Sequence, residues 1–255
     1  MGVNHNFLTR LSTGRYAKIR NLVLKSKNLE LLKAVIYEQT HVAQLQDKGI
    51  ALRKTLLLQG AHGNGRCFSA MVIAGESMLP FFRVRTSLIF KEDCDETIDN
   101  LYTLFSLIDE ERGVYLIDDI DTVLDIKNGK VADTLADLLK ENRDYGSSLI
   151  ILTSQPGFVS NDSLSIAIDQ TVTYSYPDRE DIKKLFEIYL PHVDISDEEN
   201  VSNRFILATD NMSCADIVRV LHRARCESEI TGVPVRNSQL LSYFIDNIKE
   251  TRFCL

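Results

Sequence analysis

Short apolar runs alternate along this chain with longer segments whose apolar residues recur at helical spacing. Apolar runs of this length are typical of strands buried on both faces, and the intervening helices are the crossovers that join parallel strands. The alternation therefore predicts an α/β fold, a parallel sheet flanked by helices with right-handed crossovers. The predicted strands are 55–58, 81–85, 113–117, 148–153 and 171–174, and the predicted helices are 28–48, 66–76, 96–111 and 130–142.

The pattern changes after Pro177, where the apolar runs stop and only helical spacing continues. Ser-x-x-Glu at position 196 and Ser-x-x-Asp at position 213 are capping-box starts for two of these helices. The sequence thus predicts an N-terminal extension over 1–27, an α/β domain over 28–177 and a small helical domain over 178–255. The predicted helices of the last domain are 178–190, 196–209, 213–231 and 238–249.

Net charge, apolar run length and cysteine content indicate which partners and which location to expect. With 29 basic and 36 acidic residues the net charge is −7, which gives no general affinity for nucleic acid. No apolar run approaches the ~18 residues of a membrane span, so no membrane association is expected. The five cysteines are odd in number and never in CxxC spacing, which favours reduced thiols and a cytoplasmic location.

A glycine-rich turn lies between the first predicted strand and the helix that follows it. Residues 60–67 read GAHGNGRC, close to the phosphate-binding P-loop pattern GxxxxGK[ST] in its strand–loop–helix context. Glycines let the backbone N–H groups turn inward and cradle phosphate oxygens at a helix N-terminus. A glycine-rich turn without a ligand is the alternative, and the strand–loop–helix placement favours a phosphate loop. The candidate nucleotide-binding residues here are Gly60, Gly63, Asn64, Gly65, Arg66 and Cys67.

Two positions of this loop depart from the pattern. Arg66 stands in place of the lysine, and its planar, forked guanidinium is bulkier than a compact ammonium. Cys67 stands in place of the Ser or Thr that holds Mg²⁺, and a thiol is a poor ligand for that hard ion. We therefore expect weak binding of ATP or ADP, with little dependence on Mg²⁺.

Two carboxylates follow the buried strand 114–117, about fifty residues after the loop. A magnesium-nucleotide enzyme needs a carboxylate for the metal shell and a residue that orients water. Asp118 suits the first role, with Cys67 as the other candidate metal position. Asp119 occupies the water-orienting position and is one methylene shorter than the usual Glu. A solvated turn after a core strand is the alternative, which the loop upstream disfavours.

With these motifs placed, the chain resembles the classical AAA clade of AAA+ ATPases over about 28–249, and in particular its compact bacterial members. Ile151–Ser154 resembles the sensor-1 strand, with Ser154 where Asn is usual, and the resemblance implies that Ser154 contributes to catalysis. Residues 212–217 resemble the "SGAD" start of a helical lid, which implies that Ala215 lies near the nucleotide. The family's arginine-finger segment "RRFD" corresponds to residues 166–169, which read IAID, so the resemblance implies no stable ATP-driven homohexamer.

The changed positions carry chemistry, whereas the glycines and the core strands are kept. This pattern favours a pseudo-ATPase that holds a nucleotide weakly and acts through a protein partner or an active AAA paralogue. A slow ATPase that remodels a protein substrate is one alternative, and a nucleotide-free interaction scaffold is another. Arg83 and Arg85 alternate along a predicted strand and are interpreted as surface residues.

Overall fold

The computed structural model describes residues 7–13, 17–124, 129–158, 161–190, 208–209, 211–233 and 240–244. The predicted helices 196–209 and 238–249 lie largely outside these residues, as do the capping box at Ser196 and part of the predicted extension 1–27. The chain forms two compact units. The first comprises residues 1–60 and 66–174, and the second comprises 61–65 and 175–255.

The first unit is built on a six-stranded sheet with the strand order β1-β3-β4-β5-β2-β6. All neighbouring strands are parallel except β1, which pairs antiparallel with β3 at the edge of the sheet. The parallel α/β fold predicted from the sequence is confirmed, with this antiparallel edge strand as the exception. The strands are β1 (Leu8–Leu11), β2 (Thr55–Gly60), β3 (Phe81–Val84), β4 (Val114–Ile117), β5 (Leu149–Ser154) and β6 (Gln170–Tyr174).

The central strands are apolar on both faces because helices cover both faces of the sheet. Successive strand residues point to opposite sides, so Leu57 belongs to one apolar layer and Leu56 and Leu58 to the other. The helices of the first unit are α1 (Ser26–Thr40), α2 (Val42–Gln46), α3 (Arg66–Glu76), α4 (Thr86–Ile89), α5 (Cys94–Glu110), α6 (Gly129–Asp144) and α7 (Asp162–Ala167). Residues of α5 and α6 join the layer of Leu57, and residues of α1 and α3 join the other.

The structure differs from the sequence-based prediction of the elements in two places. The helix predicted over 28–48 is interrupted at His41, whose φ of −119° and ψ of 32° leave the helical region. The hydroxyl of Thr40 bonds back to the carbonyls of Ile36 and Tyr37, and the ring of His41 stacks on Tyr37. Strand β1 was not predicted, since four residues with a central Arg10 at a sheet edge carry little apolar signal.

Within its described residues, the second unit contains the helices α8 (Arg179–Tyr189) and α9 (Cys214–Thr231), and residues 240–244 are also helical. Asp178 and Ser213 cap α8 and α9 with reciprocal capping boxes, as predicted for Ser213. Gly232 ends α9 in the left-handed conformation with φ of 68°. Across the described residues, none of the helices combines the length and the apolar character needed to cross a bilayer.

Candidate functional site

The glycine-rich turn begins where β2 ends, at Gly60, and α3 begins at Arg66. Gly63 and Gly65 have φ values of 79° and 99°, which L-residues with a side chain rarely adopt. At Gly60 the constraint is a close approach, because a Cβ there would lie 2.6 Å from the carbonyl oxygen of Tyr174 in β6. Backbone conformation therefore favours glycine at positions 63 and 65, and close packing against β6 favours it at position 60.

Within the second unit, the turn contacts the start of α9. The backbone N–H of Ala215 donates to the carbonyl of Gly63 over 2.9 Å, and the N–H of Cys214 donates to Asn64 Oδ1 over 3.3 Å. A Cβ on Gly63 would meet Ser213 Oγ at 2.4 Å. Asn64 is buried, and its Nδ2 has no hydrogen-bond partner within the described part of the chain. The structure thus brings together the predicted residues Gly63, Asn64 and Ala215.

The Arg66 side chain is buried in the first unit, with only 3% of it exposed. Its Nη1 donates to the backbone carbonyl of Ser154, and its Nη2 donates to Asp119 Oδ1 over 3.1 Å. The Ser154 hydroxyl is itself buried and unpartnered among the described residues. Arg66, Asp119 and Ser154 therefore meet at the carboxyl ends of β4 and β5, and Ser154 takes part through its carbonyl oxygen.

Asp118 accepts hydrogen bonds from three different side chains. Its Oδ1 accepts from the hydroxyl of Thr153 over 2.6 Å and from the thiol of Cys67 over 3.3 Å, and its Oδ2 accepts from Arg83 over 2.8 Å. Burial, together with the negative charge of Asp118, raises the pKa of the Cys67 thiol to about 12. The thiol is therefore protonated at neutral pH and acts as a donor to the carboxylate.

These residues do not fit Mg²⁺ as the structure places them. The ion prefers hard oxygen ligands in near-octahedral geometry, whereas the predicted metal positions are Asp118, already bonded to three donors, and the protonated thiol of Cys67. A guanidinium 2.8 Å from Asp118 Oδ2 also repels a cation at that oxygen.

The acidic turn is bound to the end of β5. Asp119 has a φ of 52°, a left-handed conformation that Asp tolerates better than most residues. Its backbone N–H donates to Thr153 Oγ1 over 2.8 Å, and Asp121 Oδ1 accepts from the N–H of Gln155 over 3.1 Å. The alternative of a purely solvated turn does not describe this segment.

Arg83 is a site residue that sequence reasoning missed, as is Thr153, which bonds to Asp118. The Arg83 side chain is 56% exposed, in line with the surface position predicted for it, but it also pairs with Asp118. The signal lies in the register: Arg83 pairs with Leu116 across the parallel β3 and β4, two residues before Asp118. The neighbouring Arg85 instead donates from Nε to the hydroxyl of Thr9.

The segment predicted to replace the arginine fingers has a structural role. Asp169 Oδ2 accepts from the backbone N–H groups of Lys54 and Thr55 at the start of β2. Ile166 is exposed and Ala167 is fully buried in the apolar layer of Leu57. No side chain in 166–169 carries a positive charge that could reach a phosphate.

A strand, a glycine-rich turn and a helix, with acids at the end of another strand of the same parallel sheet, define an α/β domain of the P-loop NTPase class. Residues 56–173 match the family model described as ATPase family associated with various cellular activities (AAA). Residues 56–173 are therefore similar to an AAA+ ATPase module.

Individual relatives agree with this assignment. The chain is 25% identical over 228 residues to a 26S proteasome regulatory subunit 4 homolog of Dictyostelium discoideum, covering 84% of this chain and 51% of that protein. It is 24% identical to the Schizosaccharomyces pombe homolog, covering 98% of this chain and 57% of that protein. It is 27% identical to the mitochondrial ATP-dependent zinc metalloprotease FTSH 10 of Arabidopsis thaliana, covering 76% of this chain and 26% of that protein. The chain thus spans about half the length of the proteasome relatives, and less of the metalloprotease.

Proposed function

We propose that this chain is a nucleotide-binding AAA module that hydrolyses ATP slowly or not at all and acts by docking onto a protein partner or an active AAA paralogue. The observation that carries the proposal is the buried Arg66 side chain, which is bonded to Asp119 and to the Ser154 carbonyl. The cation directly after the phosphate loop neutralises the carboxylate expected to orient water.

This arrangement weakens both binding and chemistry. A phosphate group must compete with Asp119 for Arg66, so we propose that ATP and ADP bind at micromolar affinity or weaker. A carboxylate held by a guanidinium is a poor acceptor for the proton of an attacking water. Because phosphoryl transfer depends on positioning and electrostatic stabilisation by several groups together, one misdirected cation affects all of them.

The proposed role in partner binding is supported by the relatives and by the composition. The proteasome relatives are, by their names, regulatory subunits of a larger particle. The absence of arginine at positions 166–169 of the sequence supports association with another AAA chain over a stable ATP-driven homohexamer. The net charge of −7 supports protein rather than nucleic acid as the partner, and the reduced-cysteine pattern supports a cytoplasmic site of action.

A slow, genuine ATPase that remodels a protein is the second candidate. It is favoured by one observation: the Asp119 side chain is 29% exposed, so water reaches the carboxylate beside Arg66. If the ion pair opened when nucleotide bound, Arg66 and Asp119 would take the roles of the usual Lys and Glu.

Phosphate release and nucleotide-induced thermal shift separate these possibilities. We would compare the wild type with Arg66→Lys/Cys67→Thr, with Asp119→Glu and with the triple variant, at saturating ATP. Arg85→Lys/Cys226→Thr is the matched control, since Arg85 bonds to Thr9 and Cys226 is exposed.

The double variant should bind magnesium-nucleotide more tightly, because both changes act on the phosphate cradle. Asp119→Glu by itself should not restore hydrolysis. The triple variant should stay slow, since a missing arginine finger costs on the order of 10³–10⁵ in rate. Wild-type turnover of ~1 s⁻¹ or faster would replace the proposal with the slow remodeller. No thermal shift with nucleotide in the wild type or the double variant would favour the scaffold.

A further inference from the structure

The carboxylate of Asp118 is already neutralised by a cation from this chain. Its side chain is 12% exposed, and its oxygens accept from Arg83, Thr153 and Cys67. A carboxylate so far removed from water is costly to leave unpaired. Of its three donors, Arg83 alone is positively charged.

We propose that Arg83 is the built-in cation of this site, and that it makes the binding of phosphate ligands independent of a divalent metal. The inference rests on the nucleotide-binding role proposed above and names the residue that determines its cation requirement. Arg83 supplies the neutralisation of Asp118 that a divalent ion would otherwise supply. The ligand class is a metal-free nucleoside di- or triphosphate.

The charges of the cluster support this inference. Arg66 pairs with Asp119 and Arg83 pairs with Asp118, so two positive and two negative side chains balance without any metal. A divalent ion at Asp118 would have to displace the guanidinium and would then face the thiol of Cys67. Thiol sulfur is a soft ligand that hard ions avoid.

The geometry of Arg83 also suits phosphate. One guanidinium nitrogen faces Asp118 Oδ2, while 56% of the side chain is exposed. Guanidinium has five N–H donors in a fork that matches phosphate oxygens. Arg83 can therefore neutralise Asp118 with one edge and still offer donors to an anion.

The first experiment uses Mn²⁺ alone and needs no nucleotide. Arg83→Gln leaves Asp118 without a cationic partner, so Mn²⁺ should bind there and raise the melting temperature of the full chain by about 3 °C. The wild type and the matched control Arg85→Gln should shift by less than about 1 °C. Arg83→Gln/Asp118→Asn should lose the response, which assigns it to that carboxylate. If Arg83→Gln responds to millimolar Mn²⁺ no more than Arg85→Gln does, the proposal is overturned.

The second experiment titrates ATP by calorimetry, with EDTA and then with Mg²⁺, and its deciding comparison is made on the wild type. The two dissociation constants should agree within about twofold, while Arg83→Gln should bind at least about fivefold more tightly with Mg²⁺ than with EDTA. A wild-type affinity that falls tenfold or more in EDTA would overturn the cation role of Arg83. Absence of ATP binding under both conditions would overturn the proposed nucleotide role instead, and the Mn²⁺ experiment would still decide the role of Arg83.

Discussion

The backbone part and the side-chain part of the candidate site differ in how closely they keep the P-loop pattern. In the turn, Gly60, Gly63 and Gly65 are present, and the start of α9 donates to the turn from Cys214 and Ala215. In the acidic cluster, Arg66 and Asp119 are bonded to each other. The comparison teaches that the backbone of a phosphate-loop-like turn is compatible with neighbouring charged side chains that form ion pairs with one another.

Gly60→Ala is the change that should cost the most stability. The new Cβ would lie 2.6 Å from the carbonyl oxygen and 2.7 Å from the Cβ of Tyr174, so β2 and β6 must separate. We expect a loss of about 3 kcal/mol in the free energy of unfolding, at the upper end for overpacking. Denaturant titration measures it, with Gly129→Ala as control because nothing lies within 4 Å of that position. A loss below about 0.5 kcal/mol would show that packing does not hold the turn.

Thr153→Val tests the acidic cluster in the same way. The hydroxyl donates to Asp118 and accepts from the backbone N–H of Asp119, and valine keeps the shape without either bond. We expect a loss of about 2 kcal/mol, because a buried donor and a carboxylate lose a partner at once. Thr103→Val is the control, since its hydroxyl bonds only to the carbonyl of Asp99 on an exposed helix turn. If the two variants unfold at the same denaturant concentration, the cluster is not held by Thr153.

Ser213→Ala tests the backbone part of the site, and we expect it to lower stability the least of the three changes. Ser213 caps α9 by accepting from the N–H of Asp216, and this capping box orders the residues that contact Gly63 and Asn64. We expect a loss of about 1 kcal/mol, the usual value of an N-cap. Hydrogen exchange should quicken at the first turn of α9 and remain unchanged in α5. If exchange quickened equally in α9 and in α5, relative to the wild type, the cap would not have a local role. Ser106→Ala, at an exposed position of α5, is the control.

The sequence predicted the sheet because its strands are encoded locally. Residues 149–152 are apolar without interruption, and a run of that kind between turns has few alternatives. The same reasoning could not find β1, whose pairing with β3 joins residues 70 to 76 positions apart. Nor could it find the bond from Arg83 to Asp118, because that contact depends on which strands are neighbours, and periodicity within one strand does not contain the order of strands in a sheet.

The candidate site could likewise be predicted only in part. The positions of Gly60, Arg66, Cys67 and Asp118 followed from spacing along the chain. The direction of the Arg66 side chain did not, because a guanidinium takes whichever acceptors the fold presents, here Asp119 and the Ser154 carbonyl. A role for Ser154 in catalysis stays a prediction, as does the division of the chain near Pro177.

The close approach of Gly60 to Tyr174 has a consequence for how such chains change over generations. Replacing a glycine that packs this closely against a neighbouring strand would push the two strands apart, so the glycine is needed whether or not the protein binds a nucleotide. Arginine in place of lysine at position 66 meets no such barrier, since its bonds to Asp119 and Ser154 compensate its burial. When selection for hydrolysis relaxes, the charged residues of such a motif should be substituted first and the closely packed glycines last. A glycine kept in such a loop is therefore explained by packing alone, whereas the identity of the charged residue after it depends on whether the site still acts on a nucleotide.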